Sequence, residues 1–343
     1  MKIMYLIFLT LILCSCMKGE KVDLIFHNAA ILCLDDSYST GNAIAIKNGK
    51  IIEIGPERQI LNKYRADEIT DLQGKEITPN FTEGNLIIDS ILNIKILKEI
   101  EIKQLERGIT EVFVHNVSND QLLKLLQYSS QMELIWHINL IPNKENVSFI
   151  RAKNTIKNQK IHIQGFTISN NSPEAILEAC AIAKNQNLQI GLDFKKSKQF
   201  ISIILKSLED YKKDHRWFAF NLDDSEKNTF KLLEENNFFL LLNKNNKFNP
   251  SLFVFGSKSS KNGLYYELSV YSKLNNVDFV KILKSISNWS NYLTFSETKS
   301  GSLNIGKYAN FTIFETSLSK SHDYNNVYSN ATFIKGKKIY SME

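Results

Sequence analysis

Cysteine is scarce in this sequence, with four in 343 residues, and two of those sit at positions 14 and 16. Cys33 and Cys180, the remaining pair, are too far apart to form a disulfide framework and belong to no Cys-x-x-Cys or Cys/His cluster. They read as buried free thiols with no metal or nucleophilic role. Beyond the N-terminus no stretch approaches ~18 uninterrupted apolar residues, so no later segment is expected inside a bilayer. A basic stripe interleaved with aromatics is missing as well. The net charge of +6 is scattered through short pairs such as Lys195-Lys196 and Lys337-Lys338, which read as solvated surface, and no nucleic-acid partner is expected. There is no P-loop, no dinucleotide-binding glycine fingerprint, no Gly-x-Ser-x-Gly elbow and no internal repeat, which removes several enzyme classes.

What is present begins at the first residues. Lys2 precedes an apolar run from Ile3 to Leu13, too short for a permanent span and suited to the core of a signal peptide. Leu13-Cys14-Ser15-Cys16 resembles the bacterial lipobox, in which a small residue precedes the cysteine that is acylated. On that reading residues 1–15 are removed, Cys16 carries the lipid, and residues 16–21 tether a domain to a membrane of the cell envelope, on a periplasmic or surface face that the sequence leaves open. An ordinary secretory signal with an incidental Cys16 is the alternative.

The chain is 43% hydrophobic, ample for a large core, and its pattern changes twice. From Val22 to Thr78 short strands alternate with turns, and Asn48-Gly49 between two alternating apolar runs signals a tight hairpin. This stretch reads as a small antiparallel unit that cannot close its own core. From Pro79 to about Leu293 apolar strands alternate with helix-like stretches. The strands expected are Phe81 to Ile87, Thr110 to His115, Glu133 to Leu140, Ile161 to Ile168, Leu188 to Phe194, Trp217 to Leu222, Phe238 to Leu242 and Leu252 to Phe255. Ser172-Pro173-Glu174 is a helix start, with a cap, a proline at the first position and an early acid. Eight strands with intervening helices match a (β/α)8 barrel, trimmed between the last two strands where no helix fits. Strands return after Ser302. The expected fold is α/β: a trimmed TIM-like barrel over 79–301, with a composite β-sandwich from 22–78 and 302–343.

The terminal segments carry a family resemblance. Asp23-Leu24-Ile25, Ala43 to Ile51, Asp71-Leu72-Gln73-Gly74-Lys75 and Thr78-Pro79-Asn80-Phe81 resemble, in order, the opening of metal-dependent amidohydrolases. Lys299 to Phe311 and Gly336 to Tyr340 resemble that family's return to its sandwich. The likeness covers nearly all of the mature chain and is closest to the branch acting on non-peptide C–N bonds. It implies a divalent metal that acidifies water and polarises a carbonyl. The implied ligands are a His-x-His on the first barrel strand, a lysine on the fourth, histidines on the fifth and sixth and an aspartate on the eighth. In this chain those places are filled by Asn85 and Ile87, Thr167, Asp193, Ala219 and Lys258. An amide binds zinc poorly beside imidazole, isoleucine not at all, and a lysine repels the cation. The expectation is a disarmed site that needs no metal cofactor.

His115 and His137, on the second and third strands, together with Asp193, could form a relocated metal or acid–base cluster, the one case in which zinc or another divalent ion is expected. Ordinary, partly buried histidines satisfied by hydrogen bonds are the alternative. His27, His215 and His322 read as surface or structural. Three functional readings stay open: a non-catalytic lipoprotein binding a small ligand or partner at the barrel mouth, a hydrolase of non-peptide C–N bonds with a relocated or metal-independent site, and a structural module of the envelope.

Overall fold

A computed structural model describes residues 19–86, 93–131, 135, 137–143, 160–169, 172–211, 213–257, 263–320, 324 and 327–342. The stretch read as a signal peptide, with Cys16, and also Ile87, Lys258 and His322, lie outside the described residues. Seven strands come first: β1 (Glu20–His27), β2 (Ala30–Leu32), β3 (Thr40–Gly41), β4 (Ala43–Lys47), β5 (Lys50–Gly55), β6 (Tyr64–Asp71) and β7 (Glu76–Pro79). β1 therefore begins inside the stretch read as a tether. Three strands close the chain: β17 (Phe311–Phe314), β18 (Ser329–Ile334) and β19 (Lys337–Ser341). They form two sheets, ordered β5-β4-β1-β6 and β19-β18-β17-β7-β2-β3.

The second sheet joins the two chain ends directly, because β17 runs antiparallel to β7 with Ile313 opposite Ile77. Phe26 of the first sheet packs edge-on to Phe311 and Phe333 of the second, and those two rings stack at 4.6 Å. Asn48 and Gly49 both take positive φ, 51° and 71°, so the β4–β5 hairpin has the expected two-residue turn. The expectation of a wholly antiparallel unit fails. β1 pairs β6 in parallel, and β2 pairs β7 in parallel. Parallel pairing requires a crossover, and the helix Glu57–Lys63 supplies it between β5 and β6.

The middle of the chain holds β8 (Phe81–Glu83), β9 (Ile109–Val117), β10 (His137–Pro142), β11 (Ile161–Ile163), β12 (Gly165–Ile168), β13 (Gln189–Asp193), β14 (Phe218–Phe220), β15 (Phe239–Leu242) and β16 (Phe253–Phe255). All pairings here are parallel, in sheets ordered β11-β10-β9-β8 and β12-β13-β14-β15-β16. The expected strand Ile161 to Ile168 is broken at Gln164. Its first part joins β10 and its second joins β13, while a parallel bridge from Asn143 to Thr167 connects the sheets. Helices follow several strands. Pro173–Gln186 starts as expected, with the Ser172 hydroxyl accepting from the Ala175 amide at 3.2 Å. No helix occupies the stretch between β15 and β16.

Alternation along the strands separates two cores. Val112, Val114, Ile190, Leu192 and Ala219 belong to the large cluster shared with the helices, whereas Phe113, Ile141, Phe218, Phe220, Phe239, Leu241 and Val254 pack on one another between the sheets. Cys33 and Cys180 are buried free thiols, and burial beside Asp35 pushes the Cys33 thiol up to about 12. Phe311, fully buried, packs with Phe26 and Phe333 in a core drawn from both ends of the chain. Phe311→Ala is expected to cost about 3–5 kcal/mol in urea unfolding. A loss below about 1 kcal/mol would show that the two ends are held by something other than this core.

Candidate functional site

Parallel α/β folds present their chemistry at the carboxyl ends of the strands, where the loops leave. At that end β8 and β16 come together across a seam with no backbone ladder described between them. A Cβ on Gly84 would collide with the Phe255 carbonyl, and one on Gly256 with the Asn85 backbone. Only glycine permits so close an approach. Glu83, with no exposed surface, bridges the seam. It accepts hydrogen bonds from the Ser257 amide at 2.8 Å, the Ser257 hydroxyl at 2.6 Å and the Asn85 amide at 3.2 Å. Burial raises its carboxyl above the ordinary range and outweighs those donors; Glu267 adds to the rise.

The other expected positions are also occupied by protein–protein hydrogen bonds. Thr167, buried in β12, donates to Asn143 Oδ1 at 3.0 Å. Asp193 ends β13 at 4% exposure and accepts from Asn221 Nδ2 at 3.2 Å, with Lys196 3.9 Å from its second oxygen. Ala219 is not the residue of β14 that faces the interior. Its methyl lies in the outer core, and Phe220 faces inward, its ring 4.3 Å from that of His115. The one-residue slip arises because β14 is three residues long and its pattern Phe-Ala-Phe fixes no parity.

The relocated cluster is not assembled. His115 pairs with Ile141 near the carboxyl ends of β9 and β10, whereas His137 opens β10 opposite Glu111. Four residues of strand, about 13 Å, separate the two levels. Asp193 lies at the carboxyl end with His115, away from His137. Burial, then Lys160, His162 and Lys335, push His137 down to about 4, so it is neutral at pH 7. His215 is structural as expected: its Nδ1 accepts from the Trp217 amide at 2.9 Å, and Nε2 bonds to the Asn236 carbonyl at 3.1 Å. His27 rests 3.1 Å from Glu57 at the surface.

These donors do not fit a divalent metal. Zinc needs about four nitrogen, sulfur or carboxylate ligands converging on one point. The described mouth offers one carboxylate held by Asn221, the buried Glu83 carboxyl held by Ser257, and one imidazole packed at a tilt against Phe220. Among the described residues no group of three His, Cys, Asp or Glu could hold an ion. Glu83 and Glu111 escaped attention in the sequence. A carboxylate at inward parity within the apolar strand Ile109-Thr110-Glu111-Val112-Phe113 was the available signal for the second.

No protein-family model matches the chain. A stretch of 73 residues, 21% of the chain, is 36% identical to an adenine deaminase of Petrotoga mobilis, but it spans only 12% of that enzyme's length. The structure superposes on an adenosine deaminase from Xanthomonas campestris with bound zinc, at a TM-score of 0.70 and 13% identity over 94% of both chains. It also superposes on enamidase, a member of the amidohydrolase superfamily, at 0.65 and 14%, covering 93% of this chain and 96% of that one. The fold is that of the amidohydrolases. Identities this low establish the amidohydrolase fold and leave the chemistry to the residues.

Glu111 has its carboxyl pushed up to about 7 by burial, against which Ser300 is a weak donor. The folded chain thus holds this proton more tightly than the unfolded chain does. Its contribution is full below the ordinary value of 4.5 and is lost as the pH rises through about 7, at up to about 1.4 kcal/mol per unit. Glu111→Gln is expected to flatten this part of the decline in denaturation midpoints between those pH values. Parallel declines in wild type and variant would contradict the assignment.

Proposed function

We propose that this chain is a non-catalytic amidohydrolase-fold lipoprotein of the cell envelope, anchored through acylated Cys16, which binds a small ligand or a partner at the barrel mouth. On this reading β8–β10 and β12–β16 close as a trimmed (β/α)8 barrel, sealed at Glu83 and at the Asn143–Thr167 bridge. The observation that carries the loss of catalysis is the use made of the ligand positions. Thr167 is spent on Asn143 and Asp193 on Asn221, while Phe220 puts a ring where the sixth strand would need a donor. Asp193 keeps lone pairs that could reach an ion, but among the described residues no second and third ligand of the His, Cys, Asp or Glu type converge with it.

What is described at this end is the Thr167–Asn143 and Asp193–Asn221 pairs, Glu83 bonded to Ser257, and His115 against Phe220, and a small polar ligand would bind through the donors and acceptors these pairs leave over. Hydrolysis of a non-peptide C–N bond would need an activated water. Neither His115 against Phe220 nor Asp193 held by Asn221 is placed as a base toward a described nucleophile.

Purified protein is expected to contain far less than one equivalent of zinc, manganese or iron by mass spectrometry. Stoichiometric metal that disappears in Asp193→Ala or His115→Ala would overturn the non-catalytic reading. Cys16→Ser is expected to move the protein from the membrane to the soluble fraction and to abolish labelling by a radioactive fatty acid. Unchanged fractionation and labelling would remove the anchor.

A further inference from the structure

The amino-terminal ends of the barrel strands, opposite the mouth, enclose a cavity of about 710 Å³ between the barrel and the sandwich. This is within the size range of small-molecule sites. The packed layer of Phe113, Phe218, Phe239 and Leu241 divides it from the mouth, so it stands independently of what the mouth does. Its lining separates into two chemistries. At the barrel side are acceptors. Glu111 is nine-tenths buried, and its hydrogen bond from the Ser300 hydroxyl is long, at 3.5 Å. The Gln164 amide nitrogen is committed to the Thr294 carbonyl at 2.5 Å and to Asn139 Oδ1 at 3.4 Å, which fixes the amide orientation. Its oxygen is buried and receives no hydrogen bond among the described residues. On the sandwich side and at the opening are cations, the exposed Lys299 and Lys335.

We propose that this cavity is a second binding site, for a free amino acid or a zwitterion of similar size, with its ammonium held by Glu111 and Gln164 and its carboxylate drawn to Lys299 and Lys335. Burying acceptors without donors is costly, and an ammonium with its three N–H groups satisfies both. The carboxylate then meets a positive rim at little desolvation cost. A ligand with only one of these groups leaves the other half of the site unmet. The groups facing Glu111 are Ser300, His137 opposite it on β10, and, around the cavity, His162, Lys160, Lys299 and Lys335. An ammonium placed there favours the ionised carboxylate, so binding near neutral pH releases a proton.

The test is isothermal titration of the purified protein with the proteinogenic L-amino acids, and with acetate and ethylammonium as one-ended controls, in two buffers of different ionisation enthalpy. At least one amino acid is expected to bind with a dissociation constant below about 1 mM, with both controls weaker by about tenfold or more. Release of roughly half a proton per site is expected at pH 7. Glu111→Gln should weaken binding by about tenfold and abolish the proton release. If that variant does not fold, Lys299→Ser on the exposed rim carries the test, with binding weakened by about threefold or more at low salt. No binding by any amino acid, or unchanged affinity in a folded Glu111→Gln or Lys299→Ser protein, overturns the proposal.

Discussion

The parallel-sheet half of this protein depends on a buried carboxyl at a place where backbone pairing gives out. β8 and β16 are three residues each, and the described ladder does not run between them. Glu83 replaces that ladder with three hydrogen bonds that cross the seam or turn back on its own strand. Gly84 and Gly256 make the approach possible, since any side chain at either would push the strand ends apart. The group is isolated from water, so each of its bonds counts for more than it would at the surface, and leaving its partners unmet would cost correspondingly more. At the opposite joint the Asn143–Thr167 bridge does the same task with a neutral pair.

Around these joints the interior is filled rather than hollow. Aromatic rings from β9, β14 and β15 occupy the middle of the sheet stack, with Phe113 and Phe218 meeting edge to face at 5.2 Å. Polar groups are confined to the two ends. The carboxyl end has hydroxyls, amides and Asp193 bonded among themselves; the amino end has Glu111, Gln164 and the lysines around a cavity.

Much of the architecture was legible in residue patterns. Asn48-Gly49 announced its hairpin, and Ser172-Pro173 its helix, because each depends on local backbone chemistry. Strand positions through the middle of the chain followed from apolar runs. What failed depended on partners distant in sequence. The parallel partner of β1 is set by a seven-residue helix, Glu57–Lys63, whose sequence carries little periodicity. Whether Ala219 or Phe220 faces inward is decided by the neighbours of a strand too short to show alternation. His115 and His137 looked like companions on adjacent strands, yet the register places them at opposite levels. Asn85, Thr167 and Asp193 could be singled out in the sequence; that Thr167 is tied to Asn143 and Asp193 to Asn221 could not, because hydrogen-bond partners across a sheet leave no linear trace.

On the proposed reading, hydrogen bonds among Glu83 and Ser257, Thr167 and Asn143, and Asp193 and Asn221 hold the strand ends without a bound metal. A ligand that binds only the folded state raises the unfolding temperature, and its removal lowers it. Thermal unfolding of the purified protein should therefore be measured as isolated, after exhaustive chelation, and with added zinc. The account predicts three transitions at the same temperature. A transition that falls by several degrees on chelation and returns with zinc would contradict it.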